Sequence, residues 1–501
     1  MTSYTKRAVK GTMIVLVITM MGAFVGYLVR LLFARNLTAE EFGLFYAVIG
    51  FLSFFTIFDN LGLTTSITKF IPEFKIKREG KLIKNSVIIT FFFTILFLGL
   101  VSIILFTLSA YLAIHFFHNT HVVLVLRLLL VWFISMGCVY IIRACFLGLQ
   151  KMAYYSSIEL ATISLIWIIS FVLFKYIQKT HIKLYYVPVI AYVLTPLIII
   201  IIYFPLLWKT LSRFSRIKPS FDKKLAKRLI LFGLPVMLGA AGELVLGYTD
   251  TMMLTYFRSF DEVGWYNIAL PTARLLVYFA IPLSSVLFPM VSELWTKNYK
   301  SHLKEGIELL YKYCLMITMP FALILMLFPK TLINLLFGNK FIPASDALRI
   351  LSLGAIFLVI FRINGSIITG IGKPKINAKI IYTGAIFNLI FNFILIPKYG
   401  ITGAAITTAI GFFLMAVLGT IYLKNIIQLE LPVKIWVKNV IIALVFVFIT
   451  SYLKNRLVIG NAWLEMAIII SIAGIVYIML LFLLKLVKIK EIKEITARLR
   501  A

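Results

Sequence analysis

The sequence predicts an all-α, polytopic membrane protein of about 14 transmembrane helices, built as two pseudo-symmetric six-helix lobes plus two C-terminal helices. Three observations predict it. Of 501 residues, 62% are hydrophobic and only 14% charged, more apolar surface than a soluble fold of this length hides. The apolar residues gather in windows of roughly 20 residues or more, enough to cross a bilayer. Between the windows, the density of basic residues alternates from one loop to the next, as the positive-inside rule requires.

In chain order the windows lie near residues 10–34, 43–69, 86–114, 122–148, 155–174, 185–208, 229–255, 263–292, 307–335, 346–370, 377–396, 401–423, 436–453 and 462–484. The first follows Lys6, Arg7 and Lys10 and is too long for the apolar core of a cleaved signal peptide, so it is expected to stay as a span. An even number of spans puts both termini on one side, expected to be the cytoplasmic face of the cell membrane. With that orientation the inner segments hold 32 Lys and Arg and the outer loops 10, an asymmetry that one missed span would scramble. Most of the formal +31 is thus assigned to orientation and to anionic membrane lipids. A nucleic-acid partner is excluded, because the basic clusters are short and separated by apolar runs rather than forming a contiguous polar face. Cys138, Cys145 and Cys314 all lie inside windows and read as small core residues, not as a disulfide framework.

The chain repeats itself at an offset near 221 residues. Lys6-Arg7 recurs as Lys227-Arg228, and Thr38-Ala39-Glu40-Glu41-Phe42-Gly43 recurs as Ser259-Phe260-Asp261-Glu262-Val263-Gly264. Each hexapeptide has the pattern of a capping box, a hydroxyl followed three residues later by Glu, opening the second and eighth windows. A further pair, Leu147 to Lys151 and Thr369 to Lys373, marks equivalent inner turns. Six windows per repeat is an even number, so the halves are parallel copies about an axis along the membrane normal. The expected division is residues 1–220 for the N-terminal lobe, 221–425 for the C-terminal lobe, and 426–501 for the last two spans with a cytoplasmic basic tail.

Leu32-Phe33-Ala34-Arg35-Asn36-Leu37, Glu40 to Phe45, Asp59-Asn60-Leu61-Gly62-Leu63 and Phe70-Ile71-Pro72-Glu73, in that order, resemble the N-terminal signature of the polysaccharide-type flippases. In the second half Gly370 to Lys375, Asn388, Asn392, Ile396 to Ile401 and Gly403 to Ile406 are similar to that family's C-terminal pattern. The family belongs to a superfamily that includes multidrug and toxin extrusion antiporters and lipid II flippases. The resemblance implies two six-helix lobes across a central cavity, opened to each side in turn, and a monomeric transport unit.

Charged side chains inside windows supply the candidate site, because a charge at the bilayer centre costs about 2.5–3.5 kcal/mol on insertion scales and is usually kept for a cavity or a partner. Counted along the helix, Arg274 lies about 17 Å from the outer end of its window, Arg362 about 24 Å and Arg143 about 31 Å, with Arg30 near the outer end of the first. They form a candidate cationic ladder for an anionic substrate; separate interfacial anchoring is the alternative, chiefly for Arg30 and Arg143. Glu243 and Asp250, seven residues apart and about 10 Å along one helical face, are candidates for coupling to a proton or sodium ion, or for pairing with an arginine. Asp59 joins them through the resembling motif, with a helix bend at Asn60 and Gly62 as the structural alternative. Pro235, Pro271, Pro282 and Pro289 concentrate in the seventh and eighth windows, where kinks or hinges are expected.

His115, His118 and His121 lack a fourth ligand and no metal is expected there. Gly372-Lys373 does not extend to a phosphate loop, so no ATP or other cofactor is expected. The outer loops are too short for the acid and base residues of a membrane glycosyltransferase or polymerase, and the chain is read as a non-enzyme. The function expected is translocation of a polyprenyl-phosphate-type lipid-linked oligosaccharide from the cytoplasmic to the outer leaflet by alternating access. The alternative is a cation-coupled small-molecule or multidrug antiporter of the same fold.

Overall fold

A computed structural model describes residues 3–56, 62–177, 183–212, 214, 220–428, 433–457 and 459–487. Among them there are helices and turns and no strands. Two compact units are distinguished, Met1–Asn267 and Ile268–Ala501.

The first unit contains α1 (Ser3–Asn36), α2 (Ala39–Phe55), α3 (Leu63–Ile76), α4 (Gly80–Thr107), the short α5 (Ser109–His115), α6 (Val122–Gly148), α7 (Met152–Ile177), α8 (Tyr186–Ser212) and α9 (Lys223–Phe257). The boundary between the units falls within α10 (Phe260–Arg274). The second unit continues with a 3-10 segment Leu275–Phe279, then α11 (Ala280–Thr296), α12 (Lys300–Leu327), α13 (Pro329–Phe337), α14 (Ser345–Gly370), α15 (Pro374–Ile427), α16 (Val433–Arg456) and α17 (Ala462–Leu483).

Among the described residues ten of these helices are long and apolar enough to cross a membrane, and the two segments of α9, Lys223–Gly239 and Ala241–Phe257, are apolar enough together but meet at a bend of 47°. The protein is a multi-pass membrane protein. Among the described residues the windows read from sequence are helical, but several are interrupted. The second is α2 followed by α3, whose N-cap Gly62 is left-handed at φ 74°. A Cβ there would also lie 2.1 Å from the Gly233 carbonyl oxygen, so only glycine fits the break. The eighth passes from α10 through the 3-10 segment into α11. The eleventh and twelfth run together as α15 and are parted only at Gly400 (φ 54°, ψ −132°), three residues after Pro397.

The third and ninth windows overrun their helices. α4 stops at Thr107, whose hydroxyl bonds back to the carbonyls of Ile103 (3.1 Å) and Ile104 (2.9 Å), and α5 restarts at once. α12 stops at Leu327 because Pro329 follows; proline has no N–H to continue a helix but suits the first turn of α13.

The capping box at Thr38 is complete: its Oγ1 accepts from Glu41 N at 3.1 Å and its N–H donates to the Glu41 carboxylate at 2.9 Å. At Ser259, Oγ accepts from Glu262 N at 3.5 Å, while the Glu262 carboxylate pairs with Arg258 Nε at 2.8 Å. The two repeated hexapeptides lie against each other. A Cβ on Gly43 would meet the Phe260 carbonyl oxygen at 1.7 Å, and one on Gly264 would meet the Ala39 carbonyl oxygen at 2.5 Å. The glycine that closes each copy therefore lets the first turns of α2 and α10 touch backbone to backbone.

In the first unit, Leu63, Ile67, Phe70 and Phe74 of α3 share a core with Val139, Ile142 and Phe146 of α6 and with Leu225 and Leu229 of α9. In the second, the C-terminal pair packs on α12: Ile442 and Phe446 of α16 and Ala473 and Tyr477 of α17 meet Met316 and Leu323. The Tyr477 hydroxyl donates to the Met316 carbonyl at 3.1 Å. Large apolar side chains such as Ile103, Ile201, Phe448 and Ile475 face outward, as a lipid-facing surface requires.

Candidate functional site

Among the described residues, the arginines read from sequence fall in three polar clusters. The first joins α1, α2, α9 and the start of α10. Pro271 removes the amide that would bond to the carbonyl four residues back, that of Asn267. The Arg30 guanidinium donates to this Asn267 carbonyl. It also lies 4.6 Å from the centre of the Tyr46 ring. The Asn267 amide donates to Val263 O (2.9 Å) and to Thr251 Oγ1 (3.3 Å). One residue before each, the Tyr266 hydroxyl donates to Asp250 Oδ2 at 2.5 Å. Adjacent residues of α9 and α10 are thus cross-bonded twice, and Arg30 and Asp250, read separately from sequence, belong to one connected cluster.

Asp250 is buried at 1% exposure while Glu243, on the same helix, is exposed. Both lie beyond the bend of α9, on the segment Ala241–Phe257, and differ only in burial along it. Asp59 lies outside the described residues.

The second cluster surrounds Arg143 near the C-terminal end of α6. Its guanidinium is bonded to Glu159 of α7 and lies 4.4 Å from the Tyr155 ring centre. Beside it is a cavity of about 320 Å³ lined by Thr64, Thr65 and Thr68 of α3, Tyr140, Arg143, Ala144 and Leu147 of α6, and Tyr155 of α7.

The third cluster is in the second unit. Arg274 is half-buried at the last residue of α10, with its guanidinium 5.9 Å from the Phe412 ring centre. Arg362 is exposed on α14. Two residues on, Asn364 is buried; it accepts from the Tyr311 hydroxyl and donates to Ala416 O (3.1 Å) and Thr420 Oγ1 (3.0 Å). Across the break at Gly400, Asn388 donates to Thr408 (3.0 Å), Asn392 donates to Asn388 (3.0 Å), and Thr407 donates to Asn392. These amides fasten the two limbs of α15 together.

Sequence reasoning missed Tyr46, Thr251, Tyr266, Asn267 and Asn364. The asparagines carried a usable signal, since a primary amide inside an apolar window must find partners. The histidines have separate neighbours: His115 stacks near Tyr111 at 4.4 Å, His118 Nδ1 is 3.2 Å from Ile114 O, and His121 lies 6.3 Å from Tyr185.

Comparison with known proteins agrees with this architecture. Over 488 residues the chain is 35% identical to a membrane protein of Methanocaldococcus jannaschii, covering 95% of this chain and 94% of that one. It is 27% identical over 213 residues to the probable low-salt glycan biosynthesis flippase Agl15 of Haloferax volcanii, covering 42% of this chain and 45% of the relative. In fold it is similar to the lipid II flippase MurJ in an inward closed conformation, with TM-score 0.74 and 16% identity over 93% of this chain and 98% of that one. It is also similar in fold to an inward-facing multidrug resistance MATE family transporter, with TM-score 0.65 and 16% identity over 81% and 94%. A MatE family model matches residues 235–394. The model described as polysaccharide biosynthesis protein matches residues 8–295, more than half of the chain, and the chain belongs to that family.

Proposed function

We propose that the protein is a flippase that moves a polyprenyl-phosphate-type lipid-linked oligosaccharide from the cytoplasmic to the outer leaflet of the cell membrane, for surface polysaccharide or glycan assembly. The observation that carries this is Arg274, a half-buried guanidinium at the point where an apolar span leaves the α-helix for a 3-10 turn. Charge within a span is kept where a cavity or a ligand uses it, and irregular backbone at membrane depth is tolerated where it lines such a cavity. A guanidinium binds phosphate through paired hydrogen bonds, so an anionic lipid headgroup fits the residue. Membership of the polysaccharide biosynthesis family supports the reading, as do a relative named as a glycan biosynthesis flippase and the fold shared with a lipid II flippase.

In this reading residues 1–220 and 221–425 are the alternating lobes of a monomeric unit, and 426–501 carry the last two spans and a cytoplasmic tail. Arg274 and Arg362 hold the phosphate end, and Arg143 and Arg30 are further substrate-binding residues. Delivery of labelled glycolipid to the outer leaflet, by variants matched for expression, tests it. Arg274→Ala should impair transport severely, Arg274→Lys partly, and Arg362→Ala to an intermediate degree. Full transport by the double alanine variant refutes the cationic reading. Orientation is tested by single cysteines at Ser220 and Thr120, which should label from the cytoplasmic and outer sides respectively.

A second reading, a cation-coupled antiporter, is favoured by the MatE match over residues 235–394. Ion coupling is assigned in either case to Asp250 with Glu243 and Asp59. Replacing Glu243 and Asp250 by their amides should abolish dependence on a proton or sodium gradient. An antiporter of cationic compounds should tolerate loss of Arg274 and Arg362, which separates the two readings.

A further inference from the structure

The pocket beside Arg143 differs chemically from what a cationic ladder requires. Arg143 was expected from its depth to offer positive charge, but Glu159 is bonded to it and the pair is neutral. Both side chains are about one-quarter exposed, at 23% and 25%, so water screens their field only in part and a phosphate would meet the carboxylate as well as the guanidinium. The remaining walls are hydroxyls, two phenol rings and the apolar side chains of Ala144 and Leu147. Thr64, Thr65 and Thr68 of α3 line it, the Thr68 hydroxyl donating to the Thr64 carbonyl at 2.8 Å, and Tyr140 and Tyr155 add the phenol rings. Arg143 Nε is a buried N–H without an acceptor among the described residues.

A ligand that matches these walls must both donate and accept hydrogen bonds, carry no net charge, and have an apolar face for a ring. A pyranose does all three: its hydroxyls exchange bonds with threonines and with an Arg–Glu pair, and its C–H face lies on an aromatic ring. At about 320 Å³ the cavity is near the lower end of small-ligand sites, the size for a single sugar ring with part of a neighbour. A larger cavity of the first unit, about 480 Å³ between α4, α6 and α8, has walls such as Phe91, Ile95, Phe204 and Leu207 and offers a sugar no such set of partners.

We propose that the pocket between α3, α6 and α7 is a recognition subsite for an uncharged sugar ring of the transported glycan. Its place in transport rests on the flippase reading, and its ligand chemistry does not. It lies where α6 turns into α7, the end assigned to the cytoplasmic side, so it contacts the glycan at loading.

Saturation-transfer NMR on the full chain in detergent tests the proposal. The probes are the methyl glycosides of glucose, galactose, mannose and N-acetylglucosamine, with inorganic phosphate as the anionic control. At least one glycoside should receive saturation from the wild-type protein. Tyr155→Ala, which removes the ring, and Thr65→Val, which leaves the ion pair untouched, should each weaken binding about three- to tenfold. Tyr155→Phe should retain it. Glu159→Gln should reverse the preference, losing the glycoside and gaining phosphate as the Arg143 charge is uncovered. No saturation from any glycoside, signals unchanged by Tyr155→Ala and Thr65→Val, or a wild-type preference for phosphate would each overturn the subsite. The glycolipid transport assay separates this failure from failure of the function. Wild-type transport with glycoside signals indifferent to these substitutions removes the subsite and keeps the flippase; substitution-sensitive glycoside binding without any glycolipid transport removes the flippase and keeps the subsite.

Discussion

Gly43→Ala is expected to be among the most damaging single-methyl changes in the first unit. The added carbon would lie 1.7 Å from the Phe260 carbonyl oxygen and 2.9 Å from Gly264 N, whereas ordinary contact begins near 3.4 Å. Both obstacles are backbone, so no side chain can rotate away and the first turns of α2 and α10 must separate by more than an ångström. Overpacking of a close contact costs about 1–3 kcal/mol, and a rigid one belongs at the upper end. Gly306→Ala in α12 is the control, since nothing lies within 4 Å of its added carbon. There the helix-propensity gain of about 1 kcal/mol acts alone. Gly43 lies in a helix too, so that gain cancels between the variants, which should differ by the overpacking cost, about 3 kcal/mol. The assay is thermal inactivation of the purified proteins in one detergent at one scan rate, followed by the loss of the monodisperse peak on size exclusion. Gly264→Ala, with a milder 2.5 Å approach to Ala39 O, should fall between them. The Gly43→Ala, Gly264→Ala double variant should lose less than the sum, because one separation of the helices relieves both contacts. Equal stability of Gly43→Ala and Gly306→Ala would refute the backbone crossing.

Tyr311→Phe removes the donor to the buried Asn364 carbonyl oxygen and should cost about 1–3 kcal/mol; Asn364→Ala, which also strands Thr420 and Ala416 O, should cost more in the same thermal assay. Glu73, outside the spans, accepts from Lys77 and from Arg228, and these two bonds, Lys77 first, hold its carboxyl below 4.5. A depressed acid contributes its stability above the unfolded value, about 4.3, and loses it as pH falls through the folded one. The stability gap between wild type and Glu73→Gln should therefore be present at neutral pH and close as pH falls through the lowered folded value. Arg30 and Pro271 should be coupled in a double-mutant cycle: Arg30→Met should cost less in a Pro271→Ala background, where a restored amide can take the Asn267 carbonyl, than in the wild type.

The spans were legible because their signal is long. α6, α7, α8, α14 and α17 coincide with apolar windows to within a few residues, since a bilayer leaves a chain little choice but helix. The breaks were harder to read. Pro271 announced a kink, but its consequence appears three residues later, when α10 gives way to the 3-10 segment, and four residues earlier, at the carbonyl it leaves open. The division of the second window at Gly62 depends on the approach of Gly233, a contact between residues far apart in sequence. The repeat was visible as matching hexapeptides, but spacing does not say that the two copies touch. Likewise, the seven-residue spacing of Glu243 and Asp250 does not say that the first is exposed and the second buried.

The four arginines singled out for their depth show what sequence leaves undecided. Insertion cost identifies each as exceptional, but that cost depends on depth alone, and function depends on what meets the charge. Arg143 meets a carboxylate, which cancels its field and leaves hydrogen-bonding geometry. Arg30 meets a carbonyl that Pro271 has left without its amide and the face of Tyr46, so its charge also closes a gap in a helix ladder. Arg274 ends a helix within a broken span and lies near Phe412, while Arg362 is exposed. Neutralising substitutions at these positions therefore should not be read on one scale. At Arg143 the carboxylate left behind dominates, at Arg30 the unsatisfied carbonyl dominates, and at Arg274 and Arg362 the effect on an anionic substrate is read most directly. A charge series across the membrane becomes interpretable only when each member is paired with the substitution that removes its neighbour: Glu159→Gln for Arg143, and Pro271→Ala for Arg30.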